Sequence, residues 1–437
     1  MPPMLSARTS RLEPIVVNLD GALLRTDLLL ESMLRLLRDR PMEVLKIPVW
    51  LPQGRNALQR RLAALAQLDP RSLPYNEALL DWLRQQKAQG RRTILCGTTD
   101  PALAASVAEF LEVFDEVVTD EGAAGGNVGS ENLEGAFPVD RAGLTVWLRA
   151  LRVHQWLKNL LLFVPIFAAH QLTNVAIWRS LSFAFLSFSL CASSVYIAND
   201  LLDLENDRQH LRKRRRPFAS GQLSISTGIV SACVLICASL FVAAFVGGNF
   251  MPALLCYFLL TCTYSCWLKR LTLIDCLTLA MLYTLRILAG AAAAGLSMSF
   301  WLLAFSVFLF LSLAFVKRYA EMEVRSLPVE TRIQGRGYYA SDAPLIQNLG
   351  VTSGYGAVLV LALYLNSDAV VKLYRTPEVI WGTIPIMLFW LNWIWMQAHR
   401  GRMYDDPLVF AITDKASLLC GVAFAAILSI AALGWPW

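Results

Sequence analysis

An acidic segment at residues 199–207 has the residue types and spacing of a metal site. It reads Asn-Asp-Leu-Leu-Asp-Leu-Glu-Asn-Asp, and on an α-helix Asp200, Asp203 and Asp207 would lie about a turn apart on one face. Three like charges repel each other unless a cation neutralises them, and carboxylate oxygens are ligands that suit Mg²⁺. A solvated acidic helix end is the alternative, but carboxylates beside an apolar membrane segment are costly and usually functional. The spacing therefore predicts a Mg²⁺ site.

A strongly basic run, residues 208–216, follows directly and leads into Pro-Phe-Ala-Ser-Gly at 217–221. By itself such a run is most often a topology signal or a contact with anionic lipid. Beside a metal-binding acidic face, some of these cations can instead bind a polyanionic substrate and a departing diphosphate. The two patterns together predict a site for a phosphorylated substrate.

The elements expected to hold this site are transmembrane helices. Of the 437 residues, 56% are hydrophobic and only 16% are charged, which is too apolar for an ordinary soluble protein. Segments long enough to cross a hydrocarbon core of ~30 Å recur after residue 159, and about nine spans are predicted. Their approximate bounds are 159–171, 177–200, 226–247, 250–267, 273–294, 299–318, 344–365, 379–397 and 408–434.

The net charge of +6 follows membrane topology better than it follows nucleic-acid binding. Basic loops at 208–216, 269–270, 317–336 and 399–402 fall on one predicted side, and only Lys372 and Arg375 oppose this trend. The positive-inside rule makes the basic side cytoplasmic. We therefore expect a multi-pass protein of the inner (cytoplasmic) membrane, with its N-terminal domain and active site facing the cytoplasm and no nucleic-acid partner.

Residues 1–140 are predicted to form a soluble α/β domain. Short apolar strands are expected at 15–17, 93–96 and 116–118, and helical periodicity begins at about Asp27. Functional loops of such domains lie at the carboxyl ends of the strands. The loop after the first strand, Asn-Leu-Asp-Gly-Ala at 18–22, resembles that of the haloacid dehalogenase (HAD) phosphatases, which read D-x-D-G-T.

Four departures from the HAD pattern argue against phosphatase activity. Asn18 stands at the position of the nucleophilic aspartate, and an amide cannot form the acyl-phosphate, although Asp20 is retained. Ala22 replaces the threonine, Gly97 falls where a phosphate-binding Ser or Thr is usual, and residues 132–138 offer no lysine. We expect a degenerate domain with a structural or regulatory role.

The acidic and basic patterns together resemble the UbiA superfamily of intramembrane prenyltransferases. N-D-x-x-D-x-x-x-D followed by R-P-x-x-S-G, in a chain of about nine spans, carries the resemblance from about residue 148 onward. It implies an all-α multi-pass membrane bundle in residues 141–437. It also implies that Asn199, Asp200, Asp203 and Asp207 bind Mg²⁺.

Within that superfamily, the details resemble decaprenyl-phosphate phosphoribosyltransferase. Lys213 stands where aromatic prenyltransferases commonly carry threonine, and Lys-Arg-Tyr-Ala-Glu at 317–321 stands where they carry a second aspartate-rich motif. Gln-Trp-Leu-Lys-Asn at 155–159 adds to this likeness, and Asp-Asp-Pro at 405–407 gives a weaker one to HAD-fused members. The branch transfers 5-phosphoribose from phosphoribosyl pyrophosphate to a polyprenyl phosphate. The implied partners are that lipid, a phosphorylated sugar donor and membrane lipid.

The resemblance also assigns roles to individual side chains. Asp200, Asp203, Asp207 and Lys213 are the expected catalytic residues. The expected substrate-binding residues, mostly cations for the donor or acceptor phosphates, are Lys158, Asn199, Arg208, Arg216, Arg286, Lys317, Arg318, Tyr319 and Glu321. Arg286 has an alternative as a structural partner for Asp275 or Glu321. Tyr319 has an alternative as an aromatic anchor at the membrane interface.

Two other functions compete with this one. An aromatic prenyltransferase would bind a prenyl diphosphate at the same first motif, but Glu321 and Glu323 without a D-x-x-x-D pattern count against it. A non-catalytic membrane scaffold or transporter would present the HAD-like domain, but the intact carboxylates of the first motif count against that. No sequence feature indicates an oligomeric state.

Overall fold

The computed structural model describes residues 14–97, 100–118, 137, 143–210, 212–323, 333, 336–367, 370, 374–403 and 406–434. The chain divides into two compact units. The first unit comprises Met1–Arg152 with Tyr196–Val234, and the second comprises Val153–Val195 with Leu235–Trp437. The predicted domain boundary between residues 140 and 141 falls outside the described residues and stays a prediction.

The described residues are mostly helical, with three short strands near the N-terminus. The elements in chain order are β1 Ile15–Asn18, α1 Leu28–Asp39, α2 Pro41–Val44, α3 Ile47–Trp50, α4 Arg55–Ala66, α5 Glu77–Ala88, β2 Thr93–Cys96, α6 Pro101–Leu111, β3 Glu116–Val118, α7 Leu144–Ala150, α8 Val164–Ala168, α9 Val175–Leu202, α10 Leu204–Gln209, α11 Ile225–Ala244, α12 Phe250–Cys266, α13 Ile274–Ala294, α14 Phe300–Glu323, α15 Ala343–Leu365, α16 Thr383–His399, α17 Pro407–Thr413 and α18 Lys415–Leu433.

The three strands form a parallel sheet in the order β1-β2-β3 in the first unit. Ile15 pairs with Thr93, and alternate residues of β1, Ile15 and Val17, are buried against the helices as a half-apolar strand requires. Helix α1 begins after Asp27, whose side chain accepts a hydrogen bond from the Leu30 amide at 3.1 Å. The predicted strands and the start of this helix are confirmed. Most of the 132–138 segment lies outside the described residues.

Seven helices of the described residues are long and apolar enough to cross a membrane, which supports an integral membrane protein. They are Val175–Leu202, Ile225–Ala244, Ile274–Ala294, Phe300–Met322, Ala340–Leu365, Pro377–His399 and Lys415–Leu433.

Two of the nine predicted spans are not among these seven helices of the described residues. The segment expected at 159–171 is a 3₁₀ helix, Val153–Phe163, followed by the five-residue α8. Pro165 lacks an amide hydrogen and is accommodated in the first turn of α8, so it begins a new helix. Helix α12 has 17 residues, at the lower limit of the length for a span, and is not among these seven.

The 3₁₀ helix Val153–Phe163 packs closely on α13 in the second unit. A Cβ atom placed on Gly290 would lie 2.0 Å from the carbonyl oxygen of Leu162, so only glycine permits this approach. This contact fixes the 3₁₀ helix, and with it Lys158 and Asn159, against the middle of the second unit.

Candidate active site

The aspartate segment lies where α9 ends and α10 begins, with Asp203 between the two helices. The Asp203 amide donates to the Asn199 carbonyl at 2.9 Å, and the Asp207 amide donates to the Asp203 carbonyl at 2.8 Å. The expected single helix is thus divided at Asp203, but the hydrogen bonds keep near-helical spacing across the junction. Asp200 and Asp207 are 3% and 2% exposed, whereas Asp203 is half-buried.

Two of the three aspartates converge on one arginine. Nη1 of Arg216 lies 3.0 Å from Oδ1 of Asp200 and 2.5 Å from Oδ2 of Asp207. Arg152, which belongs to none of the sequence motifs, forms a second ion pair with Asp200, and its guanidinium carbon lies 5.0 Å from the ring centre of Tyr196. The basic run and the acidic segment therefore form one cluster within the first unit.

Asp200 and Asp207 supply carboxylate oxygens, the ligand type that suits Mg²⁺. Oxygen atoms of Asp200 and Asp207 both contact a single cationic nitrogen, so they point at a common position. Burial raises the pKa of Asp207, and the charges of Arg216 and Lys213 act in the opposite direction. Within the described ranges, no group of three or more His, Cys, Asp or Glu side chains lies close enough to hold a metal ion.

Lys213 begins a short 3₁₀ turn, Lys213–Arg215, and its side chain is exposed. The Arg216 amide donates to the Lys213 carbonyl at 2.9 Å, which closes the turn. The turn therefore presents Lys213 to solvent while Arg216 reaches the aspartates. Arg208, also expected to bind substrate, has its guanidinium on Glu31 instead.

A lysine cluster lies in the second unit, consisting of Lys158, Lys317, Tyr283 and Asp406. The Nζ atoms of Lys158 and Lys317 lie 2.8 Å and 3.2 Å from the same oxygen, Oδ2 of Asp406, and the Tyr283 hydroxyl donates to both Asp406 oxygens at 2.8 Å. Burial opposes ionisation of Asp406, but the two lysines prevail and hold its pKa below the ordinary value. Two lysines against one carboxylate leave this cluster with a net charge of +1.

An arginine cluster adjoins the lysine cluster on α14, because Arg318 follows Lys317 in the chain. It consists of Arg318, Arg336, Asp275 and Glu321. Arg318 is fully buried, with Nη2 at 2.8 Å from Oδ2 of Asp275 and Nη1 on Glu321. Arg336 lies 3.9 Å from each acid, and the Tyr338 hydroxyl donates to Asp275 at 2.6 Å. Two arginines against two carboxylates leave this cluster neutral.

Arg286 and Tyr319 have neutral partners. Nε of buried Arg286 donates to Oδ1 of Asn159 at 3.0 Å, and its Nη2 donates to the Tyr257 hydroxyl at 2.9 Å. The acids offered as alternative partners of Arg286 pair with Arg318 instead, so that alternative is wrong. The Tyr319 hydroxyl, which is 2.8 Å from Nδ1 of His399, belongs to a buried side chain.

Comparison with known proteins adds a family and several relatives. Residues 160–410 match the UbiA prenyltransferase family. The chain is 32% identical to the uncharacterized protein y4nM of Sinorhizobium fredii, over 94% of this chain and 90% of that protein. It is 36% identical to the nodulation protein NoeC of Azorhizobium caulinodans, over 64% of this chain and 91% of that protein. It is 33% identical to the decaprenyl-phosphate phosphoribosyltransferase of Mycolicibacterium smegmatis, over 40% of this chain and 57% of that enzyme.

Proposed function

Because this chain belongs to the UbiA prenyltransferase family, we propose that it transfers 5-phosphoribose from phosphoribosyl pyrophosphate to a polyprenyl phosphate. A phosphate oxygen of the lipid forms a bond to C1 of the ribose, while the bond from C1 to the diphosphate oxygen breaks and pyrophosphate leaves. The partial likeness to the mycobacterial phosphoribosyltransferase supports this transfer. The acceptor is already an anion, so the protein mainly orients the reactants and neutralises charge.

The pairing of Glu321 is the observation that favours this donor over a prenyl diphosphate. Within the superfamily that the chain resembles, the aromatic prenyltransferases carry a second aspartate-rich motif where this chain has residues 317–321. Here Glu321 is paired with Arg318 and lies 3.9 Å from Arg336, so its charge is neutralised within the arginine cluster. A donor with a 5-phosphate and a diphosphate carries more negative charge than a prenyl diphosphate and needs more cations.

The proposed roles follow the charges of the clusters. Asp200, Asp203 and Asp207, with Asn199, would hold Mg²⁺, which supplies charge neutralisation to the departing diphosphate when bound. Lys213 and Arg216, from the basic turn beside these aspartates, bind donor phosphate oxygens. Lys158 and Lys317, whose cluster has a net charge of +1, bind a substrate phosphate. Arg318 and Glu321 do not bind substrate in this proposal. Their ion pairs stabilise the part of α14 that carries Lys317.

The N-terminal residues complete the proposal as a degenerate HAD-like domain without phosphatase activity. The structure of these residues includes a three-stranded parallel sheet whose first strand ends at Asn18, an amide that cannot accept a phosphoryl group. We place this domain and the active site on the cytoplasmic side of the inner membrane. The test is hydrolysis of generic phosphoesters by the purified protein, and turnover that disappears in Asp20→Ala would contradict the proposal.

The transfer itself is tested with purified protein, radiolabelled phosphoribosyl pyrophosphate and polyprenyl phosphates. Label is expected in the lipid fraction in the presence of Mg²⁺. Asp200→Asn and Asp203→Asn should abolish it, whereas Asp81→Asn, at an exposed position on α5, should not. A parallel assay offers a prenyl diphosphate and 4-hydroxybenzoate.

Each outcome of this experiment is decisive. Wild-type activity only in the parallel assay would assign the chain to the aromatic prenyltransferases. Near-normal turnover of both aspartate variants would remove the metal site from the proposal. Inactivity in both assays, with the protein folded and the lipids varied, would favour the membrane scaffold.

A further inference from the structure

Arg208 joins three segments of the first unit. Its Nη1 and Nη2 contact the two carboxylate oxygens of Glu31 on α1, the Nη2 contact being 3.2 Å, and both side chains are 7% exposed. Nη1 also donates to the Ser72 carbonyl at 3.1 Å, and Nε donates to the Ala219 carbonyl at 3.1 Å. Bidentate Arg–carboxylate pairs are geometrically specific. Arg208 therefore fixes α10 to the N-terminal residues and to the end of the basic run.

A second group of contacts holds the same short helix to α1. Nη1 of Arg35 lies 3.0 Å from Oε1 of Glu205, and Arg38 donates to the Asn206 side chain at 3.4 Å. Glu205, Asn206 and Arg208 surround Asp207 in the sequence of α10. The N-terminal residues thus contact α10 on both sides of the aspartate in the chain.

The segment that follows the basic run, residues 217–221, also contacts the N-terminal residues. Gly221 has a φ of +72°, and a Cβ at this position would lie 2.8 Å from the Cβ of Arg25 and 3.2 Å from its carbonyl oxygen. Arg25 follows the loop after β1 and donates to the Asn76 side chain at 3.2 Å. Only glycine allows this approach at this backbone conformation. The segment from α10 to Gly221 is therefore anchored at its two ends on the N-terminal residues.

We propose that the N-terminal domain is a positioning element of the transferase, and that the Arg208–Glu31 pair sets the placement of Asp207 and the basic turn. The activity part of this inference rests on the proposed function. Arg208 then acts through Asp207 and does not itself contact substrate. A positioning role also explains why the domain can lack a phosphatase nucleophile, since holding the segment from α10 to Gly221 requires no chemistry at Asn18.

The test uses the full chain in detergent and compares Glu31→Gln, Arg208→Gln and the double variant. Residues 212–216 are all Lys or Arg, so trypsin reports directly on how well this segment is held. Each single variant should be cut there at least about tenfold faster than wild type, because breaking a buried ion pair opens the contact. The double variant should resemble the single variants, since all three lack the same interaction.

Two further variants separate positioning from general unfolding. Glu116 lies on β3, and Glu116→Gln removes its exposed ion pair with Arg92. This change should leave cleavage at residues 212–216 unchanged. Arg35→Gln removes a partly exposed contact with Glu205 and should speed cleavage by roughly twofold without unfolding the domain. Transfer rates should fall in the same order as cleavage rates rise, while the melting temperatures of Arg35→Gln and Glu116→Gln stay at the wild-type value.

The alternatives give different patterns. If Arg208→Gln loses transfer while its segment stays protected and Glu31→Gln is normal, Arg208 binds substrate and the proposal is overturned. Unchanged cleavage in both single variants also overturns it. Because trypsin cleavage needs no substrate, a wild-type protein without transfer activity would count against the proposed function, while the cleavage rates would still decide the positioning role.

Discussion

The lysine cluster and the arginine cluster of the second unit both gather two cations around buried carboxylates, but they differ in charge balance. Asp275 and Glu321 pair with Arg318 and Arg336, whereas Asp406 forms ion pairs with two lysines. A buried charge without its counter-charge is costly, so a cluster with balanced charges has no net charge left for a ligand to neutralise. A cluster with an extra positive charge has capacity for an anionic ligand. Charge balance therefore distinguishes the cations that maintain the fold from those that we assign to phosphate.

The largest expected effect is loss of stability in Arg318→Met. The substitution leaves buried Asp275 with the Tyr338 hydroxyl and, among the cations within 4 Å in the described residues, the more distant Arg336, and breaking a buried pair in this way costs roughly 3–5 kcal/mol of unfolding free energy. Thermal unfolding in detergent measures it. Arg336→Met is the matched control, because its contacts with the two acids are 3.9 Å long and its side chain is partly exposed. With the lost hydrogen bond to the Tyr264 hydroxyl at 3.1 Å, it should cost about 1 kcal/mol.

A stable Arg318→Met protein would break the comparison. If this variant melted like wild type but no longer used the donor, Arg318 would belong to the substrate site, as the sequence analysis expected. The arginine cluster would then have to be assigned to phosphate binding together with the lysine cluster.

The next effect is loss of donor use in Lys158→Met and Lys317→Met. Each variant loses one charge-assisted contact worth roughly 1.5–3 kcal/mol, or about tenfold to a hundredfold in transfer at limiting donor. Stability should change little, because Asp406 keeps the other lysine and Tyr283 as partners. Initial rates across donor concentrations, beside melting curves, measure both effects. Lys415→Met, at an exposed position at the start of α18, should change neither rate nor stability.

Opposite results would exchange the roles of the clusters. If the lysine variants unfolded while donor use by the remaining folded protein was normal, the lysine cluster would be structural. The positive charge would then serve the fold, and charge balance would not identify substrate-binding cations in this protein.

Features with a local sequence signal were predicted well. The strand at Ile15–Asn18 and the helix that begins after Asp27 follow from alternation and capping within a few residues. The spacing of Asp200, Asp203 and Asp207 likewise predicts near-helical placement from the local sequence alone. The break at Asp203 was not predicted, because a helical pattern continues through it.

Features that depend on distant contacts were predicted poorly. Asp406 is separated from Lys158 by 248 positions, and no periodicity links such a pair. Its only sequence signal was a weak likeness at 405–407. Arg152 was missed as well, because a single arginine before an apolar segment reads as a topology signal. The apolar composition of residues 159–171 predicts a span, although residues 159–163 belong to the 3₁₀ helix Val153–Phe163.

A smaller effect on donor use is expected for Lys213→Thr. Lys213 is exposed on its turn, so its contact with a phosphate is weaker than that of a buried lysine, and donor use should fall by about tenfold. The requirement for polyprenyl phosphate should remain. Transfer at limiting donor measures the change, with Lys415→Met again as the control. If donor use fell more in Lys213→Thr than in Lys317→Met, the main donor contact would lie in the basic turn and the lysine cluster would have a lesser role.

The smallest effect concerns pH and the charge of the lysine cluster. Lys158 and Lys317 hold the pKa of Asp406 below its ordinary value of about 3.9, against the effect of burial. Stabilisation by a carboxylate with a lowered pKa is complete above the pKa of the unfolded chain and is lost progressively as pH falls from that pKa to the folded-state pKa. The cluster should therefore keep its charge of +1 from pH 8 to pH 5.

The comparison of wild type with Asp406→Asn isolates this carboxylate, because every other titrating group is common to both proteins. Asp406→Asn should lower the melting temperature, since the two lysines lose their acid. The difference in unfolding free energy between the two proteins should stay constant from pH 8 to pH 5 and narrow only below about pH 4. Narrowing between pH 7 and pH 5 would mean that Asp406 takes up a proton there. The cluster would then become more positive on mild acidification, and the contrast with the balanced arginine cluster would depend on pH.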